Sequence, residues 1–260
     1  MKKILLAILF LLLILTAYLI ITPAEKGVII LEYHTVSNTP DDDGKKYNVT
    51  LNEFREQLAY LKENGYETIS MRDFVLAKKD KLTLPEKPIV LTFDDGYQNN
   101  YDNMLPILEE FSMKATVYVV TNDIGKKNYL TYEELFDMQK RGVELGSHTA
   151  NHIPLTTLPP EKQESEIKLS KLMLEWKGLN TIYTFSYPNG AYDENLIKIL
   201  KENEYLTAVT GEAGINTFKT NPYLLHRVHI LSPTFGILEF RYRLLKAEIY
   251  NKLKIFNRDI

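Results

Sequence analysis

From Gly27 onward the chain alternates two patterns, short continuous runs of apolar residues and longer segments where apolar residues recur every three or four positions. The runs "GVIILEY" (27–33), "YETIS" (66–70), "PIVLTF" (88–93), "KATVYVV" (114–120), "GVELGS" (142–147), "IYTFSY" (182–187), "LTAVT" (206–210) and "LLHRVHI" (224–230) predict strands. Between them the spacing predicts helices. Thr50-Leu51-Asn52-Glu53 is a capping box, after which Leu51, Phe54, Leu58 and Leu61 share one face until Asn64-Gly65 stops the helix. A short helix is expected from Met71 and another near Tyr101–Phe111, while Thr131-Tyr132-Glu133-Glu134 is a second capping box. A long helix from Pro160 to about Trp176, one over Glu194–Asn203 and a terminal helix complete the series. Repeated strand–helix alternation implies a parallel sheet, either closed as a barrel or doubly wound. There is no internal repeat and no linker long enough to separate two folded units, so residues 25–260 read as one domain.

Residues 1–24 carry a different pattern. After Met1-Lys2-Lys3 comes "ILLAILFLLLILTAYLIIT" (4–22), without a charge. As a helix it would span roughly 30 Å, the thickness of a bilayer core. A transmembrane anchor is the favoured reading and a cleavable signal peptide the rival; Ile20-Ile21-Thr22-Pro23-Ala24 is a poor cleavage site. Lys2 and Lys3 would stay cytoplasmic, putting the folded domain outside the cell membrane.

Charge and composition narrow the function. With 31 Lys and Arg against 34 Asp and Glu, the formal net charge is -3, which argues against a nucleic-acid partner. The absence of Cys excludes disulfides, Cys-ligated zinc, thiol catalysis and a lipoprotein-type anchor. "DDDGKK" (41–46) has the wrong spacing for a calcium loop and reads as a solvated loop. The basic C-terminal stretch, with Leu245, Ile249, Leu253 and Phe256 at helical spacing, reads as a helix packed on the sheet with a solvated face; lying on an anionic membrane is its alternative.

The chemistry begins at "LTFDDG" (91–96), where Asp94 and Asp95 close an apolar strand. Two adjacent carboxylates repel each other, so a cation or a mobile proton is expected opposite them. All five histidines, His34, His148, His152, His226 and His229, lie at or just beyond predicted strands. In a parallel α/β fold the carboxyl ends of the strands face one mouth, where chemistry is usually sited. "GSHTANH" (146–152) gives His148-x-x-x-His152, a spacing that lets two imidazoles converge on one ion. With one carboxylate this makes a two-His, one-Asp site with open positions, the pattern of a catalytic metal. One Asp would then bind the ion, while the other accepts a proton from the water that the ion acidifies. A glycosidase using Asp94 and Asp95 as acid and base is disfavoured, because such pairs stand about 5–9 Å apart. A non-catalytic glycan-binding module is the other rival.

"TFDDG" together with "SHTANH" resembles the polysaccharide deacetylase family, carbohydrate esterase family 4, with its NodB homology domain. "LEYHTVS", "FSYPNGAYDENL" and "TAVTGEAGINT" further resemble its branch acting on poly-N-acetylglucosamine. The resemblance, over residues 27–235, implies a distorted (β/α)7 barrel, similar to a TIM barrel, and metal-dependent removal of N-acetyl groups from a glycan. It implies Asp94 as the base and Asp95, His148 and His152 as ligands of one divalent ion, Zn²⁺ favoured with Co²⁺ or Ni²⁺ also suited. The backbone N–H near Asn189 would steady the oxyanion. It names an exopolysaccharide as the favoured substrate, with peptidoglycan or chito-oligosaccharide as alternatives, and no protein partner. Where many members carry an Arg that orients the base, this chain has Ser186, and Arg227 is the candidate to replace it. For the general acid the resemblance selects His34, with His226 of Leu224-Leu225-His226 second and His229 third.

Overall fold

The computed structural model describes residues 26–39 and 42–253, with residues 3–6, 9, 10, 13, 14 and 21 nearer the start of the chain. The anchor expected over residues 4–22 lies largely outside the described residues, and among those described no helix is long and apolar enough to cross a membrane. The predicted runs form strands in the expected places, trimmed at their ends: β1 (Ile29–Tyr33), β4 (Glu67–Thr68), β5 (Pro88–Phe93), β6 (Thr116–Val119), β7 (Glu144–Ser147), β8 (Thr184–Ser186), β9 (Thr207–Val209) and β10 (Val228–His229). Two short strands not expected from the sequence, β2 (Thr35–Val36) and β3 (Asn48–Val49), pair with each other beyond the end of β1.

The main sheet runs β10-β1-β5-β6-β7-β8-β9, all parallel, and β4 pairs with the first residues of β5. Its two ends approach one another: Leu225 donates to the Ala208 carbonyl and accepts from Thr210 N–H beside β9, whereas Val228 and His229 pair with β1. The curved α/β sheet is consistent with the expected distorted seven-stranded barrel. Helices Leu51–Glu63, Met71–Lys78, Leu105–Phe111, Tyr132–Lys140, Pro160–Trp176, Glu194–Glu202 and Ile237–Leu253 surround it. The capping boxes at Thr50 and Thr131 form with both reciprocal bonds, and Ser70–Asp73 makes a third, with Asp reaching back in place of Glu.

Strand alternation determines what the barrel contains. On β1 and β5, Ile29, Leu31, Tyr33, Ile89, Leu91 and Phe93 pack outward among helix residues such as Phe54, Leu58 and Leu61. The opposite face starts apolar, with Ile30, Val90, Tyr118, Val209 and Leu225 in a second cluster, and becomes polar toward the carboxyl ends of the strands. There Glu32, Thr92, Asp94, His148, Ser186 and Arg227 are all buried.

Candidate metal centre and active site

Asp94 and Asp95 part company at one peptide. Asp94 N–H still donates to the Tyr33 carbonyl at 2.9 Å, so Asp94 continues the ladder and its side chain faces inward, buried. Asp95 (φ 75) and Gly96 (φ 77) are both left-handed, which turns the chain and moves the second carboxylate to the rim of a cavity of about 850 Å³. A side chain at Gly96 would meet this backbone conformation and the Val119 methyl at 3.3 Å. Left-handed backbone recurs at Asn128, His152 and Asn189, which also line the cavity.

The "SHTANH" loop is held from within and from behind. His152 N–H donates to Thr149 Oγ1 at 2.9 Å, and Glu166 on the long helix accepts from the N–H groups of Ala150 and Asn151 at 3.1 and 2.9 Å. This turn brings both rings to Asp95, whose Oδ1 is 3.6 Å from His148 Nε2 and 3.4 Å from His152 Nε2. His148 Nδ1 is 2.8 Å from the Ser186 carbonyl, which can only accept, so the ring proton is there and Nε2 presents a lone pair. Burial lowers the His148 pKa from its ordinary value and keeps the ring neutral. A lone pair facing a carboxylate oxygen repels it unless a cation lies between them. Ligand atoms bonded at about 2.0–2.2 Å to one ion stand roughly 3–3.6 Å apart, so Asp95, His148 and His152 fit a divalent cation.

Behind this trio Asp94 is locked. Arg227 Nη1 and Nη2 donate to its two oxygens at 2.8 Å each, and Ser186 Oγ donates to Oδ2 at 3.1 Å. Arg227 is 2 % exposed, so it is a core residue rather than a surface pairing partner, and Ser186 shares the task of holding Asp94. Burial by itself would raise the Asp94 pKa, but Arg227 and His148 outweigh it and hold the carboxyl well below the usual range. Asp94 is therefore ionised across the whole neutral range.

His34 lines the cavity, its ring stacked at a tilt on Tyr47 with centroids 4.8 Å apart. The Asn100 amide donates to the His34 carbonyl at 2.9 Å, Asn103 to the Val36 carbonyl at 2.8 Å, and Asn99 Oδ1 accepts from Val36 N–H at 3.2 Å. These three asparagines flank the π-helical turn Asn100–Met104 or lie in it, and they moor the β1–β2 corner to β5's exit. Asn189 also lines the cavity; its turn uses the N–H of Gly190 toward Tyr187 O and that of Ala191 toward Pro188 O, and Asn189 N–H is not among these bonds. His226 is not brought to the cavity. Strand alternation points Arg227 inward and its neighbour outward, so the His226 ring packs over Gly214, with Nδ1 3.9 Å from Glu212. His229, two residues beyond Arg227, does line the cavity, as does Glu32, which was not among the residues expected there. Its signal was available: a single acid inside the apolar run "IILEY", two positions before His34.

The family model described as polysaccharide deacetylase matches residues 81–208. YxkH of Bacillus subtilis (strain 168), a protein assigned to the polysaccharide deacetylases, is 34% identical over 201 residues, 77% of this chain and 70% of that one. The poly-beta-1,6-N-acetyl-D-glucosamine N-deacetylase of Staphylococcus epidermidis is 26% identical over 208 residues, 75% of this chain and 72% of the relative. Among solved structures, the Streptococcus pyogenes deacetylase PplD in complex with acetate superposes with a TM-score of 0.76 at 28% identity, covering 86% of this chain and 99% of that one.

Proposed function

From the premise that this chain belongs to the polysaccharide deacetylase family, we propose that it is a metal-dependent enzyme that removes N-acetyl groups from an N-acetylglucosamine-containing glycan outside the cell membrane. The observation that carries the reading is the pair of functions held side by side: a locked, ionised Asp94, and three acceptors on Asp95, His148 and His152 converging on one ion position. When bound, the ion, with Zn²⁺ favoured, supplies Lewis acidity toward water and the acetyl carbonyl. Asp94 accepts the proton of the attacking water as the new C–O bond forms. Arg227 and Ser186 keep its carboxylate aimed, and a strongly held carboxylate is a weak base that needs an acidified water, which matches its neighbours. The N–H at Asn189 donates to the developing oxyanion.

When the C–N bond breaks, the glucosamine nitrogen takes a proton from His34, leaving acetate and a free amine. Elimination supports His34: His148 and His152 face the ion position, His226 faces Glu212, and both ring nitrogens of His229 are engaged, by Glu32 and by the Gly211 carbonyl. The name of the Staphylococcus epidermidis relative supports a β-1,6-linked exopolysaccharide over peptidoglycan. Residues 1–24 as an anchor would keep the enzyme at the membrane where that polymer emerges.

The test is acetate release from acetylated β-1,6 and β-1,4 glucosamine oligomers by the purified protein, before and after chelation. Release from the β-1,6 oligomer that disappears on chelation and returns with Zn²⁺ is expected. No release from either oligomer by fully metal-loaded protein would sink the reading.

A further inference from the structure

The reaction above makes no use of Glu32, yet this carboxylate is 6 % exposed and lies at the centre of the cavity's charges. Oε1 is 3.0 Å from His229 Nδ1 and 4.0 Å from His34 Nε2, and Oε2 is 2.9 Å from Arg227 Nε. The Arg227 Nε–H is directed at the Thr210 carbonyl at 3.0 Å, so Oε2 gains the charge of the guanidinium but no hydrogen bond from it.

We infer that Glu32 is a positioning residue: it fixes His229 as an imidazolium and buttresses Arg227 behind Asp94, which leaves His34 as the cavity histidine able to exchange a proton. The kinetic consequence rests on the deacetylase reading above, whereas the charge assignment does not.

The geometry of His229 carries the argument. One ring nitrogen faces a carboxylate oxygen and the other, Nε2, faces the Gly211 carbonyl at 3.0 Å. Neither partner can donate, so each ring nitrogen must carry a proton and the ring is a cation. The Gly211 carbonyl is fixed in turn, because Gly190 and Gly211 pack backbone to backbone; a Cβ at Gly190 would come within 2.3 Å of Gly211 N. Burial alone would lower the His229 pKa, yet Glu32 and the Gly211 carbonyl raise it above the ordinary value. Burial would likewise raise Glu32, yet Arg227 and His229 hold it below its own.

His34 is the opposite case. Its Nδ1 is buried without a hydrogen-bond partner and its Nε2 is too far from Glu32 for a direct bond. Tyr47 steadies the ring by packing, which leaves its protons uncommitted. The charged groups around His229 are Glu32 and Arg227 against the ring, Asp94 and His34 beyond Glu32, and Arg243, which donates to the His229 carbonyl at 3.2 Å and is paired with Glu239. Without Glu32, His229 would lose the partner that holds its second proton, and the Arg227–Asp94 geometry would lose its counterweight.

The test uses the zinc-loaded full-length protein. Nitrogen-15 histidine NMR should show that wild-type His229 keeps both ring protons above its ordinary pKa of 6.5. In Glu32→Gln the same ring should lose its second proton at a lower pH than in the wild type. With an N-acetylglucosamine oligomer as substrate, Glu32→Gln should lower kcat by roughly 10- to 100-fold, change KM by no more than about threefold and keep its metal, while Glu32→Asp recovers part of the loss. Should Glu32→Gln fail to fold, His229→Gln tests the same cation from the other side, with a smaller fall in kcat at unchanged metal content. A wild-type His229 that titrates below its ordinary range overturns the inference, as does a folded Glu32→Gln with wild-type kcat. Absence of acetate release by the wild type would instead sink the deacetylase reading, and the NMR result would still decide the charge of His229.

Discussion

Two clusters of titratable groups share the cavity, and they are built on opposite principles. In the first, Glu32, Asp94, Arg227 and His229 set two anions against two cations at 2.8–3.0 Å. In the second, Asp95, His148 and His152 set acceptor against acceptor at 3.4 and 3.6 Å, with one negative charge and no cation. Glu32, His34 and Asp94 also come close enough together to suggest a second ion site, but the Arg227 guanidinium already lies against both carboxylates. Proximity of ligand-type atoms is therefore a poor guide to a metal; the decisive feature is whether their lone pairs already have a positive partner. The saturated cluster is scaffolding and the unsaturated one is the place for an ion.

The severest way to break this contrast is to cut the open cluster. His148→Ala should lose both its bound metal and its acetate release, because Asp95 and His152 alone, on two different loops, hold a divalent ion weakly. Elemental analysis of the purified variant checks it: full metal occupancy would mean that the converging atoms are not the ligands.

Asp94 belongs to the closed cluster by its bonds and to the open one by its reach, and Asp94→Asn separates those roles. The amide keeps the shape but cannot take a proton, so metal content should stay and turnover should fall roughly 10²- to 10⁴-fold. Stability should fall as well, by up to about 3 kcal/mol, because buried Arg227 loses half of its compensation. Near-normal turnover, measured beside metal content and a denaturant melt, would move the base to another residue.

How much of this could be read from the chain depends on whether the chemistry is local. "FDDG" and "SHTANH" each place their groups on one strand end, so the loop turn alone brings His148 and His152 together, and the capping boxes at Thr50 and Thr131 are local in the same sense. The phase of "LLHRVHI" was not legible. In a parallel sheet buried on both faces, apolar residues flank His226, Arg227, Val228 and His229 alike, so nothing in the run says which parity faces inward. Ser186 read as the loss of an arginine, with Arg227 as the candidate replacement; only the fold reveals that Ser186 bonds the same carboxylate as Arg227. The mooring of the His34 corner by Asn99, Asn100 and Asn103 was equally hidden, since side chains bonding a backbone more than sixty residues away leave no periodicity.

The smallest effect sharpens the closed cluster and lies in the pH dependence of stability. Folded His229 has a pKa raised above its ordinary 6.5, so its contribution is complete below that value and is lost as pH rises through the folded one. Glu32 runs the other way: lowered from 4.5, it contributes above that value and loses its contribution as pH falls through the folded one. The pair thus stabilises fully between pH 4.5 and 6.5. His229→Gln keeps an amide near both acceptors but removes the charge. Its melting temperature should therefore trail the wild type most below pH 6.5, with the gap closing as pH rises through the raised pKa of the wild-type ring. At roughly 2–4 °C per kcal/mol for a domain of this size, the change in the gap should be a few degrees, within reach of calorimetry at constant metal and ionic strength. Acidic pH is the less informative side, because other carboxylates titrate there and blur the Glu32 limb. A gap that stays constant as pH rises from the acidic into the alkaline range would mean that Glu32 does not hold the proton on His229, and the first cluster would then be balanced by Arg227 alone.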